Sequence, residues 1–433
     1  MSTNVATTAP ADAPETVAAS DTPRKLKTPI LLGVFALISL VVFVFGVAPD
    51  TLTQVDLNSK SVDMKLPIID VPTFITNLSF TVVMVALAAR AFVNAWNRKR
   101  IPMWISAVFA FLWLFALIFW TAAGDSVPLT WLFTGSLVLA TPIVFGSLAG
   151  VVSERAGVVN LAIEGQLLSG AFAAALVASL TDSWIAGALA AAAAGVVVSC
   201  ILALFAITYW VEQVVVGVVI NMIVIGLTDY LYSALLATDS AKYNDPARYP
   251  QINIPGLSQI PVIGPLLFQH TVLGYVMLLS IPLFGYLLFK SRWGLRTRAV
   301  GEHPKAADTV GINVNAVRWR NVLLSGVIAG IGGSFYTVGS VGAFSSQITS
   351  GQGYIALAAM IFGRWHPIYA ALAALLFGFA SNFQTFASQA GAGIPSELLA
   401  TVPYIVTIFA VVGFVGKSQA PAADGVPYIK QGR

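Results

Sequence analysis

The sequence predicts an all-α, polytopic integral membrane protein with about ten to twelve transmembrane helices, some of them short or broken. Three observations carry that expectation. The 433 residues are 57% hydrophobic and only 10% charged, against about 25% charged residues in a typical soluble domain. The apolar residues gather in repeated runs of roughly 20, the length of a membrane-crossing helix. Lys and Arg are sorted to one side of those runs, as they are around membrane spans. The mean hydropathy of +0.83 agrees with all three.

In chain order, residues 1–28 are rich in Ala, Thr and Pro and read as a disordered tail. Arg24, Lys25 and Lys27 stand just before the first apolar run. That run, 30–48, is longer than the core of a cleaved signal, about 7–15 residues. Further runs at 71–89 and 101–123 complete an N-terminal group of spans within 29–128. From Leu129 glycine, alanine and isolated polar residues enter the apolar runs. Spans are expected at 129–151, 158–180, 184–209, 214–237, 271–290, 320–340, 367–387 and 398–416. The apolar piece at 354–363 is too short to cross comfortably and reads as a half-helix or re-entrant segment. A last tail covers 417–433.

Charge gives the orientation. With a cytoplasmic N-terminus and 354–363 crossing, nineteen of the 23 Lys and Arg fall inside and only Lys60, Lys65, Lys242 and Arg248 fall outside. Both termini are then cytoplasmic. So is the polar stretch 290–320, which carries Lys290, Arg292, Arg296, Arg298, Lys305, Arg318 and Arg320 against Glu302 and Asp308. Within it Pro304 suits the first position of a short helix, and Gly311 suits a left-handed end. The Pro-rich stretch 238–270 lies outside.

Polar residues inside the apolar runs are few. Asn160, Glu164 and Gln166 are expected at the start of one helix, with Asn160 and Glu164 on one face because they are four apart. A carboxylate at the centre of a span costs about 2.5–3.5 kcal/mol. Glu164 therefore either pairs with backbone amides or Arg155 at a helix break, or lines a translocation path. Gln213, Gly217 and Asn221 form a small and polar stripe suited to helix packing. Gly146/Gly150 and Gly326/Gly330 have the spacing that lets helices approach closely. Gln352 and Tyr354 are candidates for a polar lining, as is Asn382. Trp365 could equally serve as an interfacial anchor.

Several classes are excluded. The lone Cys200 forbids an internal disulfide, and His270, His303 and His366 lie in separate segments without metal-ligand spacing. Residues 413–418, GFVGKS, end like a phosphate-binding loop, but Val411 stands where that loop needs glycine. No nucleophile–base pair is evident. No enzyme activity, metal or resident cofactor is expected of this chain, and no nucleic-acid partner.

Two motifs carry a resemblance. Residues 154–174, ERAGVVNLAIEGQLLSGAFAA, and 300–319, VGEHPKAADTVGINVNAVRW, are followed by LLSGVIAGIGGS and by GYIALAAMIFGRWHPIYAALAALLFGFA. Together they make residues 129–416 resemble the permease subunit of bacterial ABC importers for nucleosides, simple sugars and branched-chain amino acids, nearest the nucleoside branch. His303 and His366 depart from the Asn common in relatives. The resemblance implies an ATP-driven import system in the plasma membrane, with ATP and Mg held by a separate ATP-binding subunit. It also implies a second permease subunit and an extracellular lipoprotein-type substrate-binding protein. Pro304, Lys305, Ala306, Ala307 and Gly311 would meet the ATPase, and Asn160, Glu164, Gln166, Asn221, Gln352 and Asn382 are pathway candidates. The rival from another class is an ion-coupled secondary transporter or channel using Glu164 and Asp229.

Overall fold

The computed structural model describes residues 26–390, 401 and 419–430. The span expected at 398–416, the residues before 26 with Arg24 and Lys25, Lys417, Arg433 and the 413–418 ending lie outside those residues. The chain divides into two compact units, residues 1–53 with 71–124, and residues 54–70 with 125–433.

In the first unit, helix α1 (Lys27–Ile38) runs on through a π-helical stretch to Val44, and α2 (Thr73–Trp96) and α3 (Met103–Thr121) complete a three-helix group. Phe43, Met84, Ala91, Ile105 and Phe109 fill its interior, and Trp113 meets the ring of Phe35 edge-on at 5.3 Å. Two buried side chains are paired locally, Ser39 with Thr81 at 2.7 Å and Asn77 Nδ2 with the Phe43 carbonyl at 3.0 Å. Such pairing is what hydrocarbon, lacking water, demands.

The second unit contains α4 (Leu129–Glu154), α5 (Ile163–Thr181), α6 (Trp184–Ala203), α7 (Gln213–Leu231), the short α8 (Ser240–Tyr243) and α9 (Ile263–Leu267), and α10 (Val272–Lys290). After these come α11 (Arg292–Glu302), α12 (Pro304–Thr309), α13 (Val314–Ser334), α14 (Gln352–Phe362) and α15 (Pro367–Gln389). π-Helical stretches prolong α6, α7 and α13. Ten helices among the described residues are long and apolar enough to cross a membrane; α14, with 11 residues, is not. Short strands punctuate the loops. Residues 54–56 of β1 (Leu52–Asp56) pair in parallel with β3 (Ser126–Pro128), β2 (Ile69–Pro72) lying between them in sequence, and β4 (Gln251–Asn253) pairs antiparallel with β5 (Gln269–Thr271).

Helix α4 is the centre of this unit: 83% of its span is buried, against 33% for α7 and α10. Glycine decides how closely its neighbours approach. A methyl group on Gly146 would lie 2.7 Å from Ala356 Cβ, and one on Gly150 2.7 Å from Met360 Sδ, so that stripe seats α14. A methyl on Gly195 would lie 2.1 Å from the Gly326 carbonyl, so α6 and α13 meet backbone to backbone.

Three expectations need correction. The fifth span begins at Ile163 instead of 158, because residues 155–162 turn sharply with Gly157 at φ +83°. Asn160 therefore precedes the helix, and its spacing from Glu164 does not put them on one helical face. The stretch 290–320 holds two helices before α13, the first capped by the Ser291 hydroxyl, which accepts from Gly294 N. Finally, α13 starts at Val314, so Arg318 is a helical residue, 1% exposed, and not a solvated loop charge.

Candidate functional site

The end of the second unit that carries α11 and α12 is a compact polar-faced structure. Pro304 opens α12, whose missing N–H is an orphan at that position anyway. Gly311, at φ +85°, closes it while Ile312 N donates back to the Ala307 carbonyl at 3.0 Å. The Asn313 side chain then caps α13 by accepting from Ala316 N at 3.0 Å. Lys305, Ala306, Thr309, Val310 and Gly311 face outward, Val310 at 75% exposed. Ala307 does not. It is buried in a cluster with Val300, Val314 and Tyr428, because the helix turns its fourth residue inward while its second and third face out. Ala307, named with Pro304, Lys305, Ala306 and Gly311 for a partner contact, is therefore not on the outward face of α12.

Beside this end, Phe289 is the hub of a basic–aromatic stack. Arg155 and Arg298 lie over its ring at 5.6 and 5.1 Å, and His366 stacks on it at 4.6 Å. Burial and the nearby Arg155 hold the His366 imidazole below its ordinary pKa. Arg155 Nε donates to the Trp365 carbonyl at 2.8 Å. Trp365 is buried, not interfacial, and its Nε1 donates to Glu154 Oε2 at 2.5 Å. Both Arg364 and Trp365 have positive φ, at +52°, which ties the α14–α15 turn to the end of α4.

The polar residues expected along a pathway fall into three groups. Asn160 and Gln166 form one buried network: Asn160 Nδ2 donates to Gln166 Oε1 at 3.1 Å and Ser325 Oγ at 3.2 Å, and Gln166 Nε2 donates to Ser199 Oγ at 2.8 Å. It links the residue 155–162 turn and α5 to α6 and α13. The second group surrounds the start of α14. Glu164 accepts from Thr349 Oγ1 at 2.6 Å, Gly351 N at 2.9 Å and Gly353 N at 2.6 Å. The carboxylate thus occupies the positive end of α14. Hydrogen bonds to a charged group contribute about 1.5–3 kcal/mol each, so three of them offset the about 2.5–3.5 kcal/mol cost of the charge in a span.

Asn221 belongs to this second group. Its Oδ1 accepts from Gly165 N at 2.8 Å, and its Nδ2 donates to the Leu161 carbonyl at 2.8 Å and to Tyr354 Oη at 3.1 Å. One turn and two turns earlier, Gly217 admits Leu161 closely and Gln213 Oε1 accepts from Val159 N at 2.7 Å. The stripe on α7 is therefore a clamp on the residue 158–165 backbone. Gln352 is half-buried and its Oε1 has no partner among the described residues. Asn382 stands apart. It joins α15 to α4 through the Leu132 carbonyl at 2.7 Å, near the opposite end of α4 from Glu154.

Two features escaped the sequence. Asp229 and Glu164 hold the two ends of the same irregular segment, Asp229 accepting from Ser346 Oγ at 2.6 Å. The segment between, with positive φ at Gln347, Ser350 and Gly351, is legible only as a glycine and serine cluster. The other is residues 419–430, which lie across α11, α12 and the start of α13; an Asp-Gly-Val-Pro sequence announces a turn but not where it docks. There, burial foremost pushes the Asp424 carboxyl up to about 7 although it hydrogen-bonds Glu154 and lies near Arg318. Among the described residues no group of three or more His, Cys, Asp or Glu could hold a metal ion.

A family model described as "Branched-chain amino acid transport system / permease component" matches residues 132–411, from α4 through α15 and beyond. The chain belongs to this permease family. Over 304 residues, 68% of the chain, the permease is 41% identical to the guanosine ABC transporter permease protein NupQ of Bacillus subtilis, covering 95% of that protein. It is equally similar to the nucleoside ABC transporter permease protein NupC of Lactococcus lactis, again 41% over 304 residues and 95% of the relative. The guanosine ABC transporter permease protein NupP of Bacillus subtilis is 28% identical over 281 residues, 62% of this permease and 78% of NupP. No solved structure gives a significant match.

Proposed function

We propose that this permease is one of two membrane subunits of an ATP-driven nucleoside importer, seated in the bacterial cell membrane with both termini in the cytoplasm. The observation that carries the substrate class is its 41% identity to NupQ and NupC across 95% of each. The presence of NupP beside NupQ in one organism supports a heterodimer. Counted with residues 354–363 as part of a crossing, the nineteen-to-four division of Lys and Arg supports the orientation, α14 carrying the chain to Trp365 beside Glu154. ATP and Mg belong to a separate ATP-binding subunit, and an extracellular binding protein delivers the substrate.

The outward residues of α12 suit a docking knob for that ATPase: a short helix fixed by Pro304 and Gly311, with Lys305, Ala306 and Val310 exposed. ATP-driven closure of the partners moves this knob, and the helix bundle exchanges outward-open and inward-open states. A ligand can shift such an equilibrium only through contacts that differ between the states. Glu164, Asn160, Gln166 and Asn221, whose bonds cross between helices, are where that rearrangement is registered.

A substitution at Val310 tests the docking assignment better than one at Ala307, where a charge would enter a buried cluster. Val310→Asp is expected to insert normally and to lose on the order of 90% of guanosine uptake in cells carrying the whole system, as loss of a central contact would. Unchanged uptake would remove α12 from the interface. Competition by unlabelled leucine or ribose, with none by adenosine or uridine, would replace the nucleoside assignment by an amino-acid or sugar one.

A further inference from the structure

Residues 419–430 follow the stretch matched by the family model, which ends at 411, and nothing in the function described above uses them. Their placement is specific. Ala423 N donates to the Gly301 carbonyl at 2.8 Å, and Ala422 N to Glu302 Oε2 at 3.2 Å, at the junction of α11 and α12. Tyr428 is 7% exposed, its ring among Val300, Ala307 and Val314 and its hydroxyl bonded to Asp308. The inward face of α12 thus rests on this segment.

The same twelve residues reach a second element. A methyl on Gly157, in the turn between α4 and α5, would lie 3.0 Å from the Ala423 carbonyl, and Gly425 approaches Val159. Asp424 bonds Glu154 at the end of α4. Between these contacts lies Arg318, whose Nη1 and Nη2 donate to the carbonyls of Val426 at 2.9 Å and Ala423 at 3.4 Å. A fully buried guanidinium takes its acceptors from this segment, so the segment completes the α13 start and is not laid over a finished surface.

We propose that residues 419–430 form a strap that positions α12 for its ATPase partner and ties it to the α4–α5 turn, with Tyr428 and Arg318 as its positioning residues. Displacement of α12 is thereby passed to residues 155–162, and from there through Asn160, Leu161 and Gly165 to α7, α13 and the start of α14. This rests on the coupling role proposed for α12.

The test is a Tyr428 series, Phe, Leu and Ala, in the full chain. Hydrogen exchange at the α12 amide of Ala307 and at the Ile312 amide that closes the helix is read in detergent on this chain alone, so it holds whether or not any ATPase docks. Tyr428→Phe keeps the ring and is expected to retain wild-type protection. Leu and Ala are expected to exchange progressively faster, on the order of tenfold for Ala. In the assembled transporter Tyr428→Ala should keep its ATPase bound yet import several-fold less guanosine per ATP hydrolysed, on the order of fivefold. Should the Ala chain fail to accumulate, Leu carries both comparisons. A flat exchange series would overturn the strap, as would faster exchange with unchanged uptake per ATP. Normal transport by Val310→Asp would instead sink the coupling role of α12 and leave the exchange series intact.

Discussion

Asp424 shows how one side chain can make the α12 end sensitive to protons. Its carboxyl faces Glu154 from α4 and Arg318 from α13; Trp365 donates to Glu154 from the α14–α15 turn, and Tyr428 interacts with Arg318 from the strap. Burial raises its pKa from the ordinary 3.8 to about 7, with Arg318 pulling the other way. A raised carboxyl pKa means the docked strap binds a proton more tightly than the released one. Its contribution to docking is complete below the ordinary pKa and is lost as pH rises through about 7. Protection of the Ala423 amide, corrected for intrinsic exchange, should therefore fall across pH 7 in the wild type and stay level in Asp424→Asn. Parallel profiles for the two proteins would remove the proton link.

At the scale of elements, α14 explains why an 11-residue helix is stable in a membrane-spanning bundle. By itself it is too short to cross, and residues 342–351 lead into it with only isolated turn hydrogen bonds, such as Ser350 N to the Gln347 carbonyl at 2.9 Å. Irregular backbone at that depth persists only where protein satisfies it, and Glu164 does so with both oxygens. Glu164→Gln leaves one acceptor and turns an amide donor toward an N–H. That should lower stability by about 1–3 kcal/mol, measured as a drop in the thermal midpoint of the detergent-solubilised protein. An unchanged midpoint would show that the cap is dispensable.

Helix existence was readable because runs of about 20 apolar residues have few other uses, and the glycine pairs on α4 and α13 announced their close contacts. Helix boundaries were less so. The residue 155–162 turn is marked in sequence only by Arg155, Gly157 and Asn160, none of which shows where the helix restarts. Helix α11 was hidden by Arg292, Arg296 and Arg298, although Gly294, Thr297 and Val300 recur at the spacing of a buried stripe. Residue roles were least legible: Glu164 stood out as a buried charge, but its partners at 349–353 are nearly 190 positions away and carry no charge to mark them.

For the whole molecule, the family match covers residues 132–411; the unit of residues 1–53 with 71–124, built of α1 to α3 around an aromatic interior, lies outside it. Glu164 and Asp229, the carboxylates a secondary transporter would use, are both engaged in fastening the segment before α14. The energy for transport is then expected from outside the chain. Liposomes holding this protein with its second permease, its ATP-binding subunit and its substrate-binding protein provide the most direct measurement. The account predicts guanosine accumulation that requires ATP and persists when ion gradients are collapsed. Accumulation by this chain alone, driven by an ion gradient without ATP, would contradict it.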